Sequence, residues 1–299
     1  MKQLAKYLNP RAISAAAAFA LQPRGLVEGH LAGAHKSPFH GFSVEFAGHR
    51  EYIPGDDIRH LDWRVYYRRD RYFIKQYEAE TNMVVEVLLD ASESMRFKSL
   101  PVSKLDWGAE LAVSLAYLVT RVRDSFGIAV FDEAIQAYLP PSNSLAAVHK
   151  VNHVLEELVP KKKTDFPRII MDFAGRIGRR RLVILISDLL IRPEELSRGL
   201  ARLRYDRHEV VVFQVLDPLE LGFELQGRYR FVGLEGLSEV KLNPRQVRHA
   251  YLEKLQVHLR EIRNACERNL AAHVLVNTSR PLEEVLFEYL TSRLTHIQR

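Results

Sequence analysis

From residue 83 onward the apolar positions fall into short unbroken runs that alternate with longer runs of helical spacing. Met83 to Asp90, Phe126 to Phe131, Leu182 to Ser187, Val210 to Leu216 and Ala272 to Asn277 are rich in Val, Ile and Phe, which predicts buried strands. Between and after them, Leu105 to Arg123, Ser144 to Leu158, Pro167 to Ile177, Pro193 to Tyr205, Pro244 to Asn269 and Pro281 to His296 predict helices. Several of these open on proline, whose missing N–H costs nothing at a helix start. Alternating strands and helices imply an α/β domain over residues 81–299: a doubly wound, mostly parallel sheet flanked by helices on both faces. Ile135 to Leu139, just after Phe131-Asp132-Glu133-Ala134, reads as a hairpin partner and antiparallel edge strand. Helix 105–123 is apolar over too wide a stripe for a surface position and should lie buried beside the first strand.

Two segments break the alternation. Residues 1–80 begin with an alanine-rich helix near Ala12 to Leu21. They continue through a stretch rich in glycine and proline, expected to be a loop-dominated arm that wraps something to be ordered. Residues 217–243, with Gly222, Gly227, Gly233 and Gly236 around the strand-like Arg228 to Val232, form an irregular insertion.

Composition narrows the class. With 299 residues, 47% apolar and 27% charged, the chain can bury a full core and is neither disordered nor fibrous. The formal charge of +6 comes from 43 basic against 37 acidic residues spread along the chain. The local clusters Lys161 to Lys163, Arg179 to Arg181 and Arg64 to Arg71 read as solvated loops and helix ends. Without an RNP, zinc-finger or helix-turn-helix pattern beside them, no nucleic-acid partner is expected, and a basic nucleic-acid-binding protein stays as an alternative. The single cysteine, Cys266, excludes an internal disulfide and a cysteine-based zinc cluster. It reads as a packed or surface thiol and fits a reducing, cytoplasmic compartment. No run reaches the roughly 18–20 apolar residues of a membrane span.

The chemistry concentrates at strand ends. The first strand runs into Asp90-Ala91-Ser92-Glu93-Ser94, offering one carboxylate and two hydroxyls in a turn. Oxygen donors of this kind suit Mg²⁺ or Mn²⁺, and so few charges leave the ion able to accept an outside carboxylate. Ligands of doubly wound sheets bind beyond the carboxyl ends of the strands. There Ser187-Asp188 closes another apolar strand, and Thr164 offers a hydroxyl just before a helix. The competing readings are local: Ser92, Ser94 or Asp188 capping the following helix, Asp165 a cap and Asp132 a turn residue. An aspartyl-phosphate phosphohydrolase using Asp90 is a further alternative, but it would place a second carboxylate where Ser92 stands. A serine supplies no acid catalysis near neutral pH. No Gly-x-x-x-x-Gly-Lys-Ser/Thr and no Gly-x-Gly-x-x-Gly after a strand is present.

Asp90, Ser92, Ser94, Thr164 and Asp188, in this order, resemble the metal-ion-dependent adhesion site of the von Willebrand factor A domain. The resemblance implies that Ser92, Ser94 and Thr164 are ligands, that Asp90 and Asp188 bind directly or through water, and that a partner's Glu or Asp takes the sixth position. The chain departs from that pattern at Lys161 to Lys163, where glycines are usual, and at Leu189, where glycine is common. Upstream, Arg50-Glu51-Tyr52-Ile53-Pro54-Gly55-Asp56-Asp57-Ile58-Arg59 and Leu61-Asp62-Trp63, continuing through Arg68, Gln76 and Glu80, resemble the signature that precedes an A-type domain in the DUF58 family. That resemblance implies a non-enzymatic, Mg²⁺-dependent interaction module acting with a MoxR-type AAA+ ATPase in protein maturation or complex assembly. Within the signature, Asp56, Asp57 and Asp62 alternate with Arg50, Arg59, Arg64 and Arg68. This mix predicts a charge-paired network pinning the arm, with Trp63 as apolar anchor, or else a docking face for another protein.

Overall fold

The computed structural model describes residues 6–16, 35–37, 44–53, 61–81, 83–158, 166–225, 229–231, 240–242 and 244–297. The chain divides into two compact units, residues 28–83 and the remainder, 1–27 together with 84–299.

Helix α1 (Pro10–Ala16) belongs to the larger unit, not to the arm in which the sequence pattern placed it. Asn9 starts it, its side-chain Oδ1 accepting from the N–H groups of Arg11 and Ala12 at 3.0 and 3.2 Å. Ala12 and Ala16 are fully buried, which explains the alanines: a small side chain lets the helix lie close to its neighbours.

The smaller unit corrects the expectation of a loop-dominated arm. It holds an antiparallel sheet of β1 (His35–Ser37), β2 (Val44–Glu51) and β3 (Phe73–Thr81) in the order β1-β3-β2, with helix α2 (Trp63–Arg69) between its last two strands. The pairing of β2 with β3 shifts register between Phe46 and Gly48, a bulge that breaks the apolar alternation by which a strand is recognised. Asp62 caps α2, accepting from the N–H groups of Arg64 and Val65 at 2.9 and 3.3 Å, and its other oxygen meets His49 Nε2 at 2.9 Å. Trp63 is 57% exposed and is not a core residue of this unit; among the described residues Leu61 and Ile74, joined by a β-bridge, are buried there together with Asp62 and Met83. Asp56, Asp57 and Arg59 lie outside the described residues.

In the larger unit, β4 (Val84–Asp90) leads through a 3-10 turn (Glu93–Arg96) into α3 (Lys104–Arg121), β5 (Ser125–Phe131) and β6 (Ile135–Ser142). Helices α4 (Leu145–Glu156) and α5 (Phe166–Arg176) precede β7 (Leu182–Ser187), α6 (Pro193–Tyr205) and β8 (Glu209–Leu216). The short α7 (Pro218–Gly222) and a ribbon of β9 (Tyr229–Phe231) and β10 (Val240–Leu242) come before α8 (Pro244–Arg268), β11 (Ala272–Asn277) and α9 (Leu282–Ile297). The six-stranded sheet has the order β11-β8-β7-β4-β5-β6 and is parallel except for β6, which pairs antiparallel with β5 at the edge. The chain therefore leaves β4 toward β5 on one side and returns to β7 on the other, so the switch point lies at the carboxyl ends of β4 and β7.

Both faces of the sheet are covered. Leu88, Val183, Leu185, Val210 and Val212 share a core with residues of α5, α6 and α8, including the buried Cys266. Burial pushes the Cys266 thiol up to about 12, as befits a packing group and not a nucleophile. On the opposite face α3 lies so close that a Cβ added at Gly108 would stand 3.1 Å from both Leu89 Cδ1 and Ile186 Cγ2. The described parts of the segment after β8 include the helix α7 and the β9–β10 ribbon. Asp217 opens α7 with a capping box, its carboxylate accepting from Leu219 N–H at 2.8 Å while Glu220 reaches back to the Asp217 N–H at 2.9 Å.

Candidate metal centre

The fold brings the ends of β4 and β7 side by side, and with them most of the predicted site. Asp90 closes β4, 4% exposed. Its Oδ1 accepts from the Ser92 N–H at 2.8 Å and its Oδ2 from the Ser187 hydroxyl at 2.6 Å, so the turn after β4 and the end of β7 together orient the carboxylate. Ser92 precedes the 3-10 turn without any side-chain capping bond. Its Oγ instead lies 3.1 Å from the Ser94 Oγ. The hydroxyls thus face each other next to Asp90 and are not consumed by the helix start, which removes the capping alternative for Ser92.

Asp188, 2% exposed, follows β7. It does not cap α6, whose N-cap position is Arg192; its Oδ1 accepts from the Leu190 N–H at 3.3 Å and its Oδ2 from Lys104 Nζ at 2.8 Å. The loop after it is held on both sides, the Asp188 carbonyl by Gln214 Nε2 at 3.3 Å and the Leu189 carbonyl by His258 Nε2 at 2.9 Å. Leu189, which stands where the resembled family has glycine, takes a left-handed φ of 53° with its side chain fully buried. The backbone keeps the glycine conformation while apolar burial offsets its strain. Thr164 and Asp165 lie outside the described residues. Asp132 is a turn residue, accepting from the Ala134 N–H at 3.3 Å and from Gln136 Nε2 at 2.6 Å.

The sequence pattern missed Lys104. On the first turn of α3, fully buried, its ammonium bridges Asp188 and, at 2.7 Å, Glu220 of α7. The available signal was a lysine at the start of a helix with a wide apolar stripe, where a buried cation requires anionic company. Burial opposes the Lys104 charge, but Asp188 and Glu220 more than offset it and raise its pKa. Burial raises Glu220 against the pull of Lys104. Asp90 is pushed up to about 7, first by burial and then by the charge of Asp188.

These residues fit a hard divalent cation. The Asp90 carboxylate is held by neutral hydrogen bonds in a dry position, while the neighbouring Asp188 shares the Lys104 ammonium with Glu220, so Asp90 when ionised adds a negative charge that a divalent cation would balance. Hydroxyl and carboxylate oxygens are the donor type such ions prefer. Among the described residues no group of three or more His, Cys, Asp or Glu is placed to hold a metal, so the candidate set depends on its serines.

A six-stranded, mostly parallel sheet covered on both faces, with Asp-x-Ser-x-Ser at the end of a central strand, defines an α/β protein of von Willebrand factor A-like build. The chain is similar over 72% of its length to all of the conserved hypothetical protein BatB from Bacteroides thetaiotaomicron (18% identity, TM-score 0.47). It is similar over 70% of its length to 95% of the SpRpn10 VWA domain (11% identity, TM-score 0.41). Residues 48–261 match the family model described as "Protein of unknown function DUF58", and the chain belongs to that family. An uncharacterised protein of Mycobacterium tuberculosis is 26% identical over 216 residues, covering 71% of this chain and 68% of the relative. Among the described residues no helix is long and apolar enough to cross a membrane.

Proposed function

We propose that this chain is a non-enzymatic, cytoplasmic interaction module that docks a protein partner through a divalent cation, Mg²⁺ or Mn²⁺. Asp90, Ser92 and Ser94 would hold the ion, with Thr164 and Asp188 completing the set. Bound there, the cation supplies a positively charged coordination position for an acidic side chain of the partner. The observation that carries this reading is the Asp90 turn: a buried carboxylate at the switch point, followed by two serine hydroxyls 3.1 Å apart, of which that of Ser92 caps nothing.

Arg96 and Lys98, two and four residues after Ser94 and both exposed, place positive charge on the surface after this turn, where they border a cavity of about 390 Å³ that Lys6, Asp106 and Glu156 also line. The partner system is a MoxR-type AAA+ ATPase, and the setting protein maturation or complex assembly; this chain has no phosphate-binding loop of its own, so ATP hydrolysis falls to the partner. The test is a pulldown of the purified ATPase by the immobilised chain. Capture should depend on Mg²⁺, vanish in EDTA and vanish in Asp90→Ala and Ser92→Ala; undiminished capture by folded variants would refute the metal bridge. Turnover of a generic phosphomonoester by the Mg²⁺-loaded chain would instead favour the phosphohydrolase reading, in which Asp90 is the nucleophile.

A further inference from the structure

We infer that Lys104 is the fixed countercation of the strand-end site, keeping it folded without metal and setting how tightly a divalent ion is taken. The inference rests on reading Asp90, Ser92 and Ser94 as a metal site. An ammonium is retained in a protein interior only with its charge matched. The Lys104 side chain is wholly inaccessible, and Nζ stands 2.8 Å from Asp188 Oδ2 and 2.7 Å from Glu220 Oε1. The end of β7, the first turn of α3 and the helix α7 therefore meet at one cation. None of the three is free to drift. Ser103 caps α3 beside Lys104 by accepting from the Asp106 N–H at 3.0 Å, and Glu220 is tied by its second oxygen to the Asp217 N–H at 2.9 Å. Asp217 in turn accepts from the Ser99 N–H at 2.8 Å, in the loop leading from the metal turn to α3.

This placement has two consequences for a cation at Asp90. First, the Asp188 oxygen that faces Lys104 already serves a positive charge, so part of the field that would draw a divalent ion is neutralised from within. Second, the ammonium repels the incoming ion. Glu220 modulates both effects, since it shares the Lys104 charge with Asp188. Removing the Lys104 charge should therefore tighten divalent binding. Removing the Glu220 charge leaves Lys104 to Asp188 alone and should weaken it.

The experiment is calorimetric titration of the full chain with Mg²⁺ for native, Lys104→Met and Glu220→Gln proteins, with thermal melts in EDTA and in Mg²⁺. The native chain should melt cooperatively in EDTA. Lys104→Met should melt lower in EDTA, recover in Mg²⁺ and bind Mg²⁺ at least about tenfold more tightly. Glu220→Gln, whose amide oxygen can still accept from Lys104, should fold and bind Mg²⁺ several-fold more weakly; it decides the matter if Lys104→Met does not fold. Unchanged affinity in Glu220→Gln and in any folded Lys104→Met, against a native chain that does bind, overturns the countercation role and leaves the metal reading standing. Binding by Lys104→Met alone supports the role of Lys104 and overturns a resident metal in the native protein. No Mg²⁺ binding by any of the three overturns both.

Discussion

Replacing Asp90 by asparagine separates what this residue does for the fold from what it does for a ligand. The Asp90 pKa is pushed to about 7 from an ordinary value of 3.8, because the carboxylate is buried and faces Asp188. A folded-state pKa above the unfolded one means that the fold favours the protonated form, so the ionised group costs stability at and above neutral pH. At about 1.4 kcal/mol per unit the full cost is about 4 kcal/mol at pH 8. Asparagine removes the charge and keeps an acceptor for the Ser92 N–H. Its amide would meet the Ser187 hydroxyl, which already accepts from the Leu189 N–H at 3.0 Å and must then accept twice, so the gain is smaller. We expect Asp90→Asn to stabilise the chain in EDTA by about 2–4 kcal/mol. It should also abolish the extra stability that Mg²⁺ gives the native protein. Urea unfolding at pH 8, followed through Trp107, 3% exposed on α3 of the same unit, measures both. A variant less stable than native in EDTA, or one still stabilised by Mg²⁺, would refute the reasoning.

Other consequences follow from the same geometry. Burial lowers His208 and His273 to about 4, so the stability of their neutral forms is present above pH 6.5 and is lost as pH falls toward 4. Glu86, ion-paired with Arg181 but raised by burial to about 7, acts in the opposite sense, its cost relieved on acidification. A His208→Gln, His273→Gln double variant should therefore gain stability as pH drops from 7 to 4.5 in thermal melts, where the native chain stays nearly flat. Gly127→Ala would set a Cβ 2.5 Å from Glu86 Oε2 and 3.1 Å from Pro141 Cδ, and should cost about 1–3 kcal/mol in urea unfolding. Trp63 and Tyr67, one helical turn apart and 57% and 87% exposed, should be replaceable by alanine within about 0.5 kcal/mol. Weaker ATPase capture by that stable variant would mark α2 as a docking face, whereas a large loss of stability would restore Trp63 as an anchor.

Legibility in the sequence tracked how locally each feature is encoded. The strands Leu182–Ser187 and Ala272–Asn277 and the helix Pro193–Tyr205 match their predicted bounds, because unbroken apolar runs and a proline start are local signals. The small unit's sheet was hidden by the bulge at Phe46 and Gly48. Helix α7 carried a legible Asp217-Pro218-Leu219-Glu220 start that the surrounding glycines obscured. At the site, the sequence pattern grouped Asp90, Ser92, Ser94 and Asp188, and the fold places the ends of β4 and β7 side by side. What it could not reveal was the partners of Lys104, since its link to Asp188 and Glu220 spans 84 and 116 residues and exists only once three elements have packed. The left-handed Leu189 was equally hidden, because its side chain argues against the backbone conformation it adopts.

The central claim is that the strand-end turn holds a divalent cation, and Mn²⁺ binding followed by electron paramagnetic resonance tests it most directly. The native chain should take up a single Mn²⁺ that Mg²⁺ displaces. The Ser92→Ala, Ser94→Ala double variant should fold and lose that site. Mn²⁺ uptake of the same stoichiometry and affinity in the folded double variant would contradict it.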